Sequence, residues 1–222
     1  MPERLVLLHT MPGVANLFGE LTKEVLPGDI DVWHVVDEIL IKSVLAAGRV
    51  TPWIHRRVAE HVVAAEEAGA RAVQFTCSSI SPCVPVVAPL VGIPVLRIEE
   101  AMVERALTLG NRLAVAATAP TALGPVAESV EEAAARKGRP VEVERVLCAG
   151  AYEALTRGDL AVHDRLVAEA ISGLARRSDA VLLAQASMAR ALAALPPSVP
   201  QDRILTSPRL ALEHVRDLLV GA

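Results

Sequence analysis

The chain has 222 residues, of which 52% are hydrophobic and 2% aromatic, with a formal net charge of -4 at neutral pH. This apolar content is enough for one large buried core or two small ones and excludes disorder for most of the chain. Because Lys and Arg are scattered and aromatic rings are scarce, nucleic acid is not an expected partner.

Short runs rich in Val, Ile and Leu alternate with longer segments at helical spacing, which is typical of βα units and largely parallel sheets. The apolar runs predict strands at Arg4 to His9, Ile30 to Val36, Ala72 to Thr76, Pro94 to Ile98, Arg112 to Ala117, Val141 to Leu147, Ala180 to Gln185 and Arg203 to Thr206. The longer segments predict helices at Val14 to Val25, Glu38 to Ala46, Pro52 to Glu67, Glu99 to Leu109, Pro120 to Lys137, Ala151 to Leu155, Leu160 to Arg177, Met188 to Leu195 and Arg209 to Val220.

The two halves of the chain repeat one order of elements: a strand with a polar end, a second strand, a pair of helices, and a third strand with a polar end. This duplication predicts an α/β protein of two similar lobes, each a mostly parallel sheet flanked by helices. We expect the lobes to be related by pseudo-twofold symmetry, with a ligand cleft between them. Residues 1–110 form the first predicted lobe and 111–206 the second, and the helix at about 207–222 is expected to pack back on the first.

Cys77 follows the third apolar run, where the hydroxyls of Thr76, Ser78 and Ser79 replace aliphatic neighbours. Ligands of open α/β sheets bind beyond such carboxyl strand ends. We therefore interpret Cys77 as the central acid/base or nucleophile, the alternative being a small buried hydrophobe. Hydroxyl donors and a helix starting after Ser81-Pro82 predict a lowered thiol pKa. Ser78 and Ser79 are also candidate substrate ligands.

The other two cysteines have a different setting. Cys83 lies between Pro82 and Pro85, and Cys148 follows the predicted strand at Val141 to Leu147. Both are expected to be structural, although Cys148 could still reach the site. Since the cysteines form no CxxC pair and no histidine cluster lies beside them, a thiolate metal site is not expected.

Thr118 and Thr121 are candidate anchors for a substrate anion. Thr118 ends a strand and Pro120 suits a first helical turn, so hydroxyls and unpaired backbone N–H groups converge where a carboxylate is favoured. Ordinary helix capping is the alternative. Ser187, which begins a predicted helix after the seventh strand, has the same two interpretations.

His9 and Thr10 end the first strand. A histidine there could act as the second acid or base beside Cys77, or could be a hydrogen-bonded structural residue. Thr10 is a candidate substrate-binding residue. Asp37 is expected to cap a helix, and His163-Asp164 to be a solvated or packing pair.

The chain resembles, over nearly its full length, the aspartate/glutamate/hydantoin racemase superfamily. The resemblance is carried by Thr76 to Ser79, by the run Leu113 to Thr121, and by the strand and turn Val181 to Met188. It implies a cofactor-independent enzyme with a catalytic cysteine at the third strand of each lobe, and a substrate carboxylate held by the second run. It also implies a homodimer.

At the second cysteine position this chain has Gln185. An amide cannot exchange a proton at neutral pH, although it can hold a carboxylate or an enolate oxygen. Symmetric inversion by two thiols is therefore not expected. Three alternatives stay open: single-cysteine chemistry of the isomerase or decarboxylase/lyase kind, a true amino-acid racemase using Cys77 with His9, and a non-catalytic small-acid binding protein.

No Gly-rich phosphate loop, zinc motif or pyridoxal-binding lysine occurs, so we expect a small carboxylate substrate and no cofactor. No apolar stretch reaches the roughly 20 residues that span a bilayer, and the first segment does not read as a secretory signal. The sequence thus predicts a cytoplasmic protein with reduced cysteines and no membrane partner.

Overall fold

The computed structural model describes residues 3–221. Its strands are β1 (Glu3–His9), β2 (Ile30–Val36), β3 (Ala72–Phe75), β4 (Val95–Leu96), β5 (Arg112–Ala117), β6 (Glu142–Leu147), β7 (Ala180–Leu183) and β8 (Ile204–Thr206). Its α-helices are α1 (Pro12–Val25), α2 (Glu38–Ala47), α3 (Pro52–Glu67), α4 (Val84–Val87), α5 (Glu100–Leu109), α6 (Pro120–Arg136), α7 (Ala151–Thr156), α8 (Leu160–Arg177) and α9 (Ser207–Val220). Short 3₁₀ helices lie at Ser78–Cys83, Ala88–Leu90, Ala186–Ala194 and Gln201–Arg203.

The chain divides into two compact units. The first contains residues up to 100 together with residues from 208 onward, and the second contains residues 101–207. The division therefore falls within the first turn of α5, after Glu100, whereas the sequence placed it after that helix, near residue 110. The C-terminal helix groups with the first unit.

Each unit contains one parallel sheet, and residues 3–221 form two such four-stranded sheets with the same topology. The strand order is β2-β1-β3-β4 in the first unit and β6-β5-β7-β8 in the second. The registers also agree, since Leu8 pairs with Phe75 in the first sheet and Ala116 pairs with Leu183 in the second. The predicted fold class, an α/β protein built from two similar, mostly parallel units, is confirmed.

Helices cover both faces of the first sheet, which explains why its central strands read as continuous apolar runs. On one face Leu5 and Leu7 pack with Phe18 of α1 and Leu212 of α9. On the other face lies a second cluster, made of Val6, Leu8, Leu40, Val58, Phe75 and their buried neighbours. Alternate residues of β1 thus belong to different clusters, and this alternation decides which side chains at the strand end can meet.

The segment after β3 differs most from the sequence-based expectation. A helix was expected to start after Ser81-Pro82, but two 3₁₀ helices and the short α4 occupy residues 78–90, the first of them beginning at Ser78. Pro82, Pro85 and Pro89 each lack a backbone N–H, which explains the short and mixed helical turns. In the second unit the predicted α-helix at Met188 to Leu195 is a 3₁₀ helix that begins at Ala186.

No helix in residues 3–221 combines the length and the apolar character needed to cross a bilayer.

Candidate active site

Cys77 lies two residues beyond β3 and directly precedes the 3₁₀ helix that begins at Ser78. Its side chain is partly exposed. The sulphur accepts hydrogen bonds from the hydroxyls of Thr10 and Ser79 and from the backbone N–H groups of Ser79 and Ile80. The thiol therefore sits among donors at the carboxyl end of the first sheet, and Thr10 is brought to it from the end of β1.

Burial raises the pKa of the Cys77 thiol, and the hydrogen bonds from Thr10, Ser79 and Ile80 lower it only in part. The lowered thiol pKa that the sequence suggested is therefore wrong. The donors around the sulphur are neutral hydroxyl and amide groups, and these do not outweigh the loss of solvation of a thiolate. At neutral pH this thiol is protonated.

Ser78 and Ser79 are both buried, in the first turn of the 3₁₀ helix. The structure gives Ser79 a direct role as a donor to the Cys77 sulphur. Further along the same helix, the Ser81 hydroxyl donates to Oε2 of the buried Glu99 at 2.8 Å. These contacts hold the turn that positions Cys77.

The His9 ring is fully buried, and both of its nitrogens have protein partners. Nδ1 lies 2.8 Å from Oγ1 of Thr76, and Nε2 lies 2.9 Å from Nδ1 of His34. The ring also meets the edge of Phe18, with 5.7 Å between centroids. Burial, with a smaller contribution from His34, lowers the pKa of His9 to about 4. His34, which the sequence analysis did not single out, is the partner that links His9 to the surface.

His9 and Cys77 lie on opposite faces of the first sheet. His9 contacts Phe18, which belongs to the cluster of Leu5 and Leu7, whereas Cys77 packs against the cluster of Leu8. The structure therefore brings Thr10 to Cys77 but does not bring the His9 ring to it. Direct proton exchange between His9 and Cys77 is not favoured by this arrangement.

Gln185 lies two residues beyond β7 and directly precedes the 3₁₀ helix that begins at Ala186. Its Oε1 accepts three hydrogen bonds, from the Thr118 N–H at 2.6 Å, the Thr118 hydroxyl at 3.0 Å and the Ala119 N–H at 3.1 Å. Thr118 is buried one residue beyond β5. Gln185 and Thr118 thus meet at the carboxyl end of the second sheet.

The pair Gln185 and Thr118 in the second unit corresponds to the pair Cys77 and Thr10 in the first. Thr10 and Thr118 each directly follow a central strand, β1 or β5. Cys77 and Gln185 each lie two residues beyond the neighbouring strand, β3 or β7. The two threonines are 108 positions apart in the sequence, and so are Cys77 and Gln185. A proline, Pro12 or Pro120, follows each threonine after one residue and begins a helix. The sheet register therefore places Gln185 at the position equivalent to Cys77.

The Thr118 donors that the sequence assigned to a substrate carboxylate are satisfied by the Gln185 oxygen. Thr121 lies in the first turn of α6, as predicted, and Ser187 lies in the following 3₁₀ helix with a partly exposed side chain. Sequence reasoning missed that the Gln185 side chain, 67 residues away, would take the Thr118 donors.

Cys83 and Cys148 are buried, as expected of structural cysteines. Burial raises the pKa of Cys83 to about 12 and that of Cys148 to about 11. Cys148 packs in the core of the second unit, beside Ala116 and Leu183. Its burial there does not favour a catalytic role.

Asp37 caps α2, as predicted, by accepting from the Ile39 N–H at 3.1 Å. It also pairs with Arg57 at 2.5 Å and His61 at 2.8 Å, two residues that the sequence analysis did not consider. Their spacing of four residues on α3, which places them on one helix face, is the signal that could have found them.

His163 is a buried residue of α8 rather than a solvated one. Its Nδ1 lies 2.8 Å from Asp164, which Arg190 also binds. Across residues 3–221, no group of three or more His, Cys, Asp or Glu side chains is arranged to hold a metal ion.

The model of the Asp/Glu/Hydantoin racemase family matches residues 16–215. A comparison of the sequence with curated proteins finds no match.

Solved structures share the fold. A glutamate racemase from Bacillus anthracis superposes with a TM-score of 0.73 at 14% identity, covering 99% of this chain and 82% of that one. An allantoin racemase from Klebsiella pneumoniae gives 0.70 at 15% identity, with 99% and 88% covered. An aspartate racemase homologue from Pyrococcus horikoshii OT3 gives 0.70 at 16% identity, with 99% and 100% covered.

Proposed function

Because the chain belongs to the Asp/Glu/Hydantoin racemase family, we propose that it is a cofactor-independent enzyme that exchanges a proton at a carbon of a small carboxylate substrate, with Cys77 as its proton-transferring group. One observation carries the proposal. Cys77 and Gln185 occupy equivalent positions at the strand ends of the two units, but Cys77 is a thiol hydrogen-bonded to Thr10, whereas Gln185 is an amide hydrogen-bonded to Thr118. The relatives named above give the decarboxylase or lyase alternative no support.

The raised pKa of Cys77 suits the thiol to proton donation. In the proposed cycle the thiolate form of Cys77 takes the proton from the substrate carbon, so that the C–H bond breaks and its electron pair stays on the carbon as a carbanion. After the S–H proton has exchanged with solvent, the thiol returns a proton to the same face of the carbon, which re-forms the C–H bond and the thiolate. Thr10, Ser79 and Ile80 donate hydrogen bonds to the sulphur and stabilise the thiolate when it forms. Their neutral donors cannot keep it charged at rest, which leaves the proton on the sulphur until substrate is present.

The second unit is proposed to supply substrate-binding groups rather than a second acid or base. The resemblance assigns this role to Thr118 and Thr121, and the residues themselves suggest Ser187 and Gln185. Since the Thr118 donors are taken by the Gln185 oxygen, we propose that Thr121, Ser187 and the NH₂ group of Gln185 contact the substrate. The Gln185 amide has no proton to exchange at neutral pH, so the proposed chemistry proceeds from one side of the reacting carbon. His9 is proposed as a positioning residue that holds Thr76, next to Cys77.

Hydrogen exchange in heavy water tests this proposal. Each enantiomer of aspartate, of glutamate and of a 5-substituted hydantoin is incubated with the protein, and deuterium at the carbon beside the carboxyl or acyl group is followed by NMR. We expect exchange into one enantiomer of a pair and a loss of about 10²- to 10⁴-fold in Cys77→Ala. Cys148→Ala, which removes a buried thiol of the second unit, is the matched control and should keep the exchange.

A small-acid binding protein is the second candidate, favoured by the missing second thiol and by the protonated state of Cys77. It predicts that carboxylates bind, that no exchange occurs in the unmodified protein, and that Cys77→Ala leaves their affinity unchanged. Calorimetry of carboxylate binding to the unmodified protein and to Cys77→Ala, beside the exchange measurement, separates the enzyme from the binding protein.

A further inference from the structure

The amide of Gln185 is locked in one orientation. Peptide N–H groups can only donate, so the atom that meets the N–H groups of Thr118 and Ala119 is the amide oxygen. The Thr118 hydroxyl reaches the same oxygen. Turning the amide by 180° would set its NH₂ group against two donors, which is unfavourable. Gln185 is thus fixed with its oxygen inward, although glutamine can otherwise present either group.

Because the amide oxygen is occupied, Gln185 can offer its NH₂ group to another molecule. The residue is partly exposed, so such a molecule can reach it. We infer that Gln185 determines specificity by presenting donors alone, so that it selects a substrate with a carboxylate or carbonyl oxygen at this point and disfavours an ammonium group there. This inference rests on the proposed function, because it assumes that Gln185 contacts the substrate.

The locked oxygen has a second consequence, which is structural. α6 begins at Pro120 after Ala119, a residue whose side chain cannot cap the helix. The Gln185 oxygen, 66 residues away, accepts the Ala119 N–H directly before the helix, a group that has no acceptor inside the helix. An alanine at position 185 would remove this acceptor and the NH₂ group together, so an alanine variant cannot separate specificity from folding.

Gln185→Glu separates the two roles. A glutamate has the same length and can place one oxygen on the same three donors, where the N-terminus of α6 favours a negative charge. Only the NH₂ group is lost, replaced by an acceptor. The melting temperature of Gln185→Glu should therefore equal or exceed that of the unmodified protein, whereas Gln185→Ala should melt lower.

Binding is measured by calorimetry with succinate, aspartate and hydantoin. Succinate and aspartate differ by an ammonium group. Hydantoin carries carbonyl oxygens but no net charge, so charge repulsion from the new carboxylate of Gln185→Glu does not affect its binding. We expect Gln185→Glu to lose about 10- to 100-fold in affinity for succinate and hydantoin, which corresponds to one hydrogen bond of about 1.5–3 kcal/mol to a charged or well-placed acceptor. Aspartate should lose less than succinate, because the new carboxylate can accept from its ammonium group.

The outcomes separate this inference from the proposed function. Unchanged affinities in a stable Gln185→Glu variant would overturn the inference and leave Gln185 as a structural acceptor for Thr118 and Ala119, with the proposed function intact. Failure of the unmodified protein to bind any of the three probes would overturn the proposed acid-binding function and this inference with it. A loss of affinity in Gln185→Glu at an unchanged melting temperature supports both the inference about Gln185 and the proposed function.

Discussion

Gln185 holds in the second unit the register position that Cys77 holds in the first, and each is hydrogen-bonded to the threonine that ends the central strand of its own sheet. The duplicated framework is therefore retained while the chemistry at its two strand ends differs. A thiol can exchange a proton, whereas an amide can only hold an oxygen or a donor in place. This difference underlies the proposed one-sided reaction.

The Thr10 hydroxyl should tune the reactivity of Cys77. Thr10→Val removes a donor that stabilises the thiolate, so the thiol pKa rises further and alkylation by iodoacetamide at pH 7 should slow about 5- to 10-fold, the effect of one hydrogen bond of about 1 kcal/mol. Thr10→Ser keeps the hydroxyl and should react at close to the original rate. Equal rates in all three proteins would show that Thr10 does not act on the sulphur.

The pH dependence of Cys77 alkylation should report its raised pKa. Since burial disfavours the thiolate, the rate should keep rising above pH 8.5, the region where an ordinary thiol is half ionised. The rate is followed by mass spectrometry of the Cys77 peptide, with glutathione as the reference thiol. A midpoint below that of glutathione would contradict the burial argument.

His9 should make the protein less stable as the pH falls. Its folded pKa of about 4 lies below the ordinary value of 6.5, so the unfolded chain binds a proton that the folded chain does not. The contribution of His9 to the free energy of unfolding is therefore fully present above about pH 6.5 and is lost as the pH falls toward 4. Between pH 7 and pH 5 the loss is about 2 kcal/mol. Burial lowers the pKa of His34 as well, which acts in the same direction.

Urea denaturation at pH 7 and pH 5 measures this effect. His9→Gln keeps a hydrogen-bonding side chain but cannot titrate, so the difference in unfolding free energy between the two pH values should shrink by most of that amount. If the variant shows the same difference as the unmodified protein, His9 is not the group responsible.

Gly110 should tolerate no side chain. A Cβ there would lie 2.3 Å from Oδ2 of Asp179, which accepts hydrogen bonds from the N–H groups of Asn111 and Arg112. Gly110→Ala should therefore destabilise the protein by about 1–3 kcal/mol. Gly19→Ala is the matched control, because a Cβ at Gly19 in α1 meets nothing within 4 Å. It should be neutral or stabilising by up to about 1 kcal/mol, as judged by thermal unfolding.

The sheets could be predicted from sequence because local pattern determines them. Strands such as β1 and β5 are buried on both faces, so they appear as unbroken apolar runs bounded by polar or proline residues. Helices with a regular apolar stripe, such as α3 and α8, were predicted at their observed bounds. In the segment 78–90 only a helix start after Ser81-Pro82 was expected, and its bounds and 3₁₀ character were missed, since closely spaced prolines obscure any helical period.

The candidate site was less predictable because its decisive contacts are non-local. Cys77 and Gln185 could be placed at strand ends from the sequence and the resemblance. That the Gln185 oxygen would take the donors of Thr118 depends on the register of β5 against β7, which composition does not encode. The same holds for the His9 ring, whose partners Thr76 and His34 come from two neighbouring strands.

The measurement that tests the account most directly is deuterium incorporation from each enantiomer of a substrate pair, compared between the unmodified protein and Gln185→Cys. A single thiol predicts that the unmodified protein exchanges one enantiomer without inverting it, and that Gln185→Cys, with a thiol at both equivalent positions, exchanges both and gains inversion. Exchange of both enantiomers with inversion in the unmodified protein would contradict the account, because Gln185 would then occupy a position where a second acid or base must act.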